Sequence, residues 1–145
     1  VLFRSSYREK LLRFYDNGEL LLEFLSWDDC RNMAYAVMTI GSHTMNHVHL
    51  TDLDDDGVEA ELAGSKQLIE TELGRACDHF CCPFGRANID YRPDHHPAIA
   101  LRVGYRTFLA TDRGAVRQGA SLMGVPRDHL LAGWGNYQLR YFFSR

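Results

Sequence analysis

The chain has 145 residues, 46% of them hydrophobic, which suffices for one buried core and is an ordinary single-domain size. Its formal net charge of −3, with 16 Lys and Arg scattered along the sequence, forms no basic stripe and argues against a nucleic-acid partner. No apolar run reaches the roughly 18 residues of a membrane span, so no transmembrane segment is expected in this chain.

In chain order, Ser6 with Glu9 forms a capping-box pair. Leu11, Leu12 and Tyr15 supply an apolar face and Gly18 is placed to end it, which predicts a helix over 7–16. Ser26 with Asp29 repeats the cap pattern and predicts a second helix to about Ala36, followed by a buried strand over 37–42. Val58, Leu62, Ile69 and Leu73 share one face of a long helix over 55–73 that Gly74 closes. A strand over 78–82, a polar loop from Asn88 to Asp94, a helix from Pro97 to Val103 and a strand over 105–110 follow. A strand at 122–125 and a terminal helix over 134–143 complete the series. This βαβα alternation argues for parallel strands covered by helices, an α/β fold.

The four cysteines are Cys30, Cys77, Cys81 and Cys82. The last two are adjacent in an expected buried strand and read as free thiols behaving like small apolar side chains. Cys77-x-His79-x-Cys81-Cys82 does not make a zinc knuckle. Alternate strand residues face opposite sides, and a second ligand pair is missing.

The strand over 37–42 runs into Gly41-Ser42-His43-Thr44-Met45-Asn46-His47-Val48-His49. Two imidazoles four residues apart at a strand end suggest a metal site, and the small residues before His43 let the backbone turn. In a parallel barrel such positions lie on the functional rim, where the carboxyl ends of the strands meet their loops. Pro83-Phe84-Gly85, after the strand over 78–82, falls on the same rim. His49 reads as a loop residue, and His95 and His96 as solvated residues at a helix start.

Ser42 to His47 resembles the His-(Ser/Thr)-x-x-His metal motif of the polysaccharide deacetylases, the NodB-homology group of carbohydrate esterase family 4. Agreement continues through Ser26-Trp27-Asp28-Asp29, the helix from Glu59 to Arg75, and His79-Phe80-Cys81-Cys82-Pro83-Phe84-Gly85, which is similar to the family's Pro-(Tyr/Phe)-Gly segment. Gly104-Tyr105-Arg106, Ala110-Thr111 and Val125-Pro126-Arg127 extend it, so that the motif-bearing part covers about 26–130. The resemblance implies a distorted (β/α) barrel and metal-assisted removal of acetyl groups from N- or O-acetylated sugars of a polysaccharide. It further implies a divalent ion, zinc, on His43 and His47 with one carboxylate, together with a carboxylate base and a His acid. Pro83, Phe84 and Gly85 would line the sugar groove; alternatively Pro83 and Gly85 shape the turn while Phe84 packs inward.

Such barrels typically need about 200 residues or more. The 145 residues, starting at Val1, are therefore expected to be a partial deacetylase domain whose first strands are missing. The base Asp and the ligand Asp would then lie upstream of Val1, since Asp16, Asp28 and Asp29 sit in helix or turn contexts. His129 is the candidate acid, Arg127 a candidate for binding or orienting a carboxylate, and Trp27 and Trp134 read as packing residues. A fragment of this kind is expected to be inactive by itself. The alternatives are a non-catalytic carbohydrate-binding remnant of the same fold and a small structural metal protein, which would need four ligands. Neither the compartment nor the particular sugar is legible.

Overall fold

A computed structural model describes residues 15–16, 19–20, 25–128 and 135–143. The expected helix over 7–14, Gly18, His129 and Trp134 lie outside the described residues. Tyr15–Asp16 (β1) pairs antiparallel with Glu19–Leu20 (β2), Asp16 opposite Glu19, so the last two positions of the expected helix are strand. The sequence between the two strands is Asn17-Gly18, a dipeptide that favours two-residue hairpin connections.

Trp27–Tyr35 (α1) starts as the sequence predicts. Ser26 Oγ accepts from the Asp29 amide at 3.1 Å, and the Asp29 carboxylate accepts from the Ser26 amide at 2.8 Å. Asp28 pairs with Arg31 at 2.7 Å, so both acidic residues serve the helix.

The strand expected over 37–42 does not form, and the reason is how α1 ends. Val37 N–H donates to the Ala34 carbonyl and Met38 N–H to the Met33 carbonyl, a Schellman termination that uses these amides for the helix. Val37 takes the left-handed position at φ 65°, usually glycine's, with its side chain 93% exposed. Only Ser42 remains to pair, through an isolated parallel bridge to Phe80.

Asp55–Leu73 (α2) matches its expected limits, with Asp54 capping the Gly57 amide at 2.9 Å and Gly74 left-handed at its end. Val58, Leu62 and Ser65 turn inward. His79–Cys81 (β3), His96–Val103 (α3), Thr107–Leu109 (β4) and Met123–Val125 (β5) follow, and Asn136–Phe143 forms α4. The three strands lie in the order β3-β4-β5, all parallel. Phe80 faces Phe108 across the register, and these two, with Tyr105, Tyr91, Leu62 and Ile99, form the core beneath α2 and α3.

Pleating sends the alternate residues His79, Cys81, Thr107 and Leu109 to the opposite face. There, together with Ser42, His43, Val125 and Arg127, they line a cavity of about 660 Å³.

His96 is not a solvated loop residue. It begins α3 fully buried, and its Nδ1 accepts from the Arg92 amide at 3.1 Å. Burial, reinforced by the nearby Arg92 charge, pushes its imidazole down to about 4.

Two outcomes follow for stability. Val37→Gly removes left-handed strain of roughly 1–2 kcal/mol against a glycine entropy cost of roughly 0.5–1. Since the valine side chain is exposed, denaturant unfolding should show a gain of about 0.5–1 kcal/mol. For His96, the unfolded chain gains a proton near 6.5 that the folded chain refuses until about 4, so stability falls as pH drops through that window. The loss should approach about 3 kcal/mol. It should shrink in His96→Gln, as read by denaturant midpoints at pH 7 and pH 4.5; equal pH slopes for both proteins would contradict the burial argument.

Candidate metal and sugar site

Segment 41–47 reaches the rim because it can run close beside β3. A side chain at Gly41 would place its Cβ 2.9 Å from the His79 carbonyl oxygen, so only glycine fits. Ser42 N–H donates to the His79 carbonyl at 2.8 Å, and Cys81 N–H donates to the Ser42 carbonyl at 2.9 Å. The next main-chain acceptor along β3, the Cys81 carbonyl, is taken by a side chain: His43 Nδ1 lies 2.6 Å from it.

A carbonyl only accepts, so His43 Nδ1 carries the hydrogen and Nε2 keeps its lone pair for another partner. Burial lowers the His43 pKa, the Cys81 bond opposes this, and the His47 and Arg127 charges add to the lowering. The ring is therefore held neutral, the form that ligates a metal.

Thr44 builds the path to His47. It is buried at φ 64°, its hydroxyl donates to the His43 carbonyl at 2.6 Å, and the same oxygen accepts from the His47 amide at 3.0 Å. His47 is itself left-handed at φ 54°. The loop thus turns back on itself, and the two imidazole centroids lie 4.9 Å apart at 67°.

Two imidazoles sharing a tetrahedral zinc at about 2.0–2.1 Å per nitrogen place their centroids roughly 5 Å apart. The spacing of the pair, with His43 held as the neutral tautomer, therefore fits a shared divalent ion. Among the described residues, no group of three or more His, Cys, Asp or Glu is arranged to hold one. All four cysteines are free of disulfides, and burial raises Cys77, Cys81 and Cys82, the last to about 12, so these three are held as thiols.

Pro83-Phe84-Gly85 forms the adjoining wall. Gly85 N–H donates to the Pro83 carbonyl at 2.6 Å around Phe84 at φ 58°, a tight γ-type turn. Thr111 locks it from the end of β4, its hydroxyl donating to the Phe84 carbonyl and its amide to the Gly85 carbonyl. A Cβ on Gly85 would meet the Thr111 nitrogen at 3.0 Å. Pro83 and Gly85 are buried and shape the turn, whereas Phe84 is 45% exposed and does not pack inward. Its ring lies edge to face with His47 at 4.9 Å and stacks on His49 at 4.1 Å, the planes within 7°.

His49 is more than a loop residue, and sequence reasoning missed its partner. Its Nδ1 lies 2.8 Å from the carboxylate of Asp90, which is fully buried and also accepts from the Arg86 amide and guanidinium. Asp90 falls within the stretch read only as a polar loop, and nothing in its spacing from His49 announces the contact.

Arg127 lies in the cavity. It donates to the Ala110 carbonyl and approaches the Cys81 sulfur, each at 2.6 Å. Trp27 is half-buried at the end of α1 nearest the loop, beside a small cavity with Cys30, His43 and Met45.

A parallel sheet with helices packed on it, carrying two neighbouring imidazoles at a strand end beside a tight Pro-Phe-Gly turn, defines the class as an α/β protein with its candidate site on the rim where the strands end. The polysaccharide deacetylase family model matches residues 8–107, and the chain belongs to that family. It is 25% identical over 109 residues to the putative polysaccharide deacetylase YxkH of Bacillus subtilis, covering 75% of this chain and 37% of that protein.

Among solved structures, the Streptococcus pyogenes deacetylase PplD in complex with acetate matches with TM-score 0.70 and 23% identity, over 81% of this chain and 50% of that one. A de-N-acetylase from Aggregatibacter actinomycetemcomitans matches with TM-score 0.63 and 16% identity, over 82% and 53%. These structures share the fold, and the described residues correspond to part of a deacetylase barrel. The chain spans 37% of the curated relative and about half of each of these two structures.

Asp90→Ala should cost about 1–3 kcal/mol, because it leaves the Arg86 amide without its acceptor and removes the carboxylate that the Arg86 guanidinium and His49 share. Denaturant midpoints give the cost. A change below about 0.5 kcal/mol would mean that this carboxylate does not brace the rim.

Proposed function

We propose that this chain supplies the two imidazole donors and one groove wall of a divalent-metal-dependent deacetylase. Its reaction is removal of acetyl groups from N- or O-acetylated sugars of a polysaccharide. The observation that carries this reading is the His43–His47 pair, spaced at 4.9 Å with His43 fixed as the neutral tautomer at a strand end. His43 and His47 would hold the ion, with zinc the best match to two imidazoles. When bound, that ion supplies a Lewis acid for the acetyl carbonyl and an activated water.

The chain's own residues do the rest of the preparation. The Cys81 carbonyl orients His43, the Thr44 hydroxyl sets His47, and the locked Phe84 turn walls the approach for a sugar ring. The Arg127 guanidinium places a positive charge beside the cavity and is suited to holding a carboxylate. His129 stays the candidate acid from its sequence context. The base and the third ligand are not among the residues identified.

A second reading, a non-catalytic carbohydrate-binding remnant, is favoured by one observation: no three-donor group occurs among the described residues. Calorimetric zinc titration and acetate-release assays on acetylated oligosaccharides separate the two. The chain should bind zinc weakly, each of His43→Ala and His47→Ala reducing the affinity at least about tenfold. Acetate release should be negligible. Zinc affinity indifferent to both substitutions would remove the metal reading, and sugar binding without zinc would leave the remnant. Brisk acetate release abolished by His43→Ala would show that carboxylates within these 145 residues complete the site.

A further inference from the structure

The loop that carries His43 and His47 contains two non-glycine residues in left-handed conformation, Thr44 at φ 64° and His47 at φ 54°. Such residues cost of order 1–3 kcal/mol each and persist only where surrounding contacts over-determine them. The hydroxyl of Thr44 closes the turn from within. Between the β3 pairing at one end and Phe84 against His47 at the other, the middle of the loop is gripped by one turn of α2.

Ser65 Oγ lies 2.6 Å from Ser42 Oγ and seats the start of the loop. Gly64 gives Met45 room: a Cβ there would come within 3.3 Å of the Met45 Cγ. Glu61 makes the decisive contacts. One carboxylate oxygen accepts from the backbone amides of Met45 and Asn46, each at 2.9 Å, and the other accepts from Asn46 Nδ2.

These two amides lie midway between the two histidines. An ionised carboxylate holding them is charge-assisted and about twice as strong an acceptor as a neutral one. It also places a negative charge behind a loop whose histidines are suited to a cation.

We propose that Glu61 is a positioning residue for the metal site: it clamps the 44–47 turn in the geometry that brings His43 and His47 together, and so sets the site's affinity for a divalent ion. This rests on the reading of His43 and His47 as ligands, but the clamp itself is a property of the metal-free chain. Glu61 acts through the backbone between the two imidazoles, at the Met45 and Asn46 amides.

The test uses the full 145-residue chain with zinc alone as the probe, comparing wild type, Glu61→Ala, Glu61→Gln and Asn46→Ala. Two quantities are read: zinc affinity by calorimetry, and hydrogen exchange of the Met45 and Asn46 amides without metal. Glu61→Ala should weaken zinc about 10–100-fold, the range for loss of an outer-shell partner, and speed exchange of both amides. Glu61→Gln should largely rescue both readouts. Its amide oxygen can take the two backbone donors, and its NH₂ can meet a flipped Asn46 amide, leaving only a small deficit from the lost charge. Asn46→Ala, which removes a single bond from an exposed side chain, should fall between and keeps the test decisive if Glu61→Ala does not fold.

A merely structural role would lower the unfolding temperature of Glu61→Ala and leave zinc affinity well below that temperature unchanged; that result overturns the proposal. Unchanged amide exchange in the variants overturns it as well. Wild type that binds no zinc yet loses amide protection in Glu61→Ala would keep the clamp and remove the metal reading, so the two failures are distinct.

Discussion

The site depends on a short parallel pairing between residues 41–42 and β3. Three consecutive links make it: Ser42 N–H to the His79 carbonyl, Cys81 N–H to the Ser42 carbonyl, and the His43 ring to the Cys81 carbonyl. The first two are ordinary ladder bonds. In the third an imidazole N–H takes the place that another backbone amide would occupy were the strand to continue. The pairing thus ends in a functional group, and register alone fixes which ring nitrogen points outward. Gly41 is the permissive element, since any Cβ there would press on the His79 carbonyl and slide the segment off register.

Around this line the site is assembled from three supports that differ in kind. The Thr44 hydroxyl acts locally, within the loop. Residues on one turn of α2 act through packing and hydrogen bonds. The 83–91 region acts across the rim, with Phe84 between two imidazoles and Asp90 securing His49. Desolvation has opposite sign on its polar members. It keeps His43 neutral and raises the thiols, while Asp90 stays ionised because three donors on Arg86 and one on His49 outweigh its burial.

Much of the helical framework was legible in the sequence because its signals are local. The Ser26–Asp29 cap, the apolar face and terminal Gly74 of α2, and the proline in the first turn of α3 all act within a few residues, and the structure places those helices accordingly. The paired histidines were legible for the same reason. What was not legible depends on partners far apart in sequence. Asp90 reaches His49 across 41 residues and Glu61 reaches Asn46 across 15, and neither acid carries any mark that distinguishes it from a solvated one. The region over 37–42 failed differently. Val37 and Met38 look like strand residues, yet the helix before them needed their amides, and hydrogen-bond demand prevailed over side-chain preference. His96 was misread because its loop context suggested water, whereas the turn from Arg92 folds it inward.

One last feature of the sheet bears on how such a chain can change over time. Phe80 and Phe108 share one face of the pleat, whereas His79, Cys81, Thr107 and Leu109 share the other. Parity along two three-residue strands therefore divides the labour of the sequence. Odd or even position decides whether a replacement is judged by the volume of a packed interior or by the chemistry of a chamber. Replacements at 79, 81, 107 and 109 would reshape the chamber's wall, whereas replacements at 80 and 108 would disturb the aromatic layer behind it.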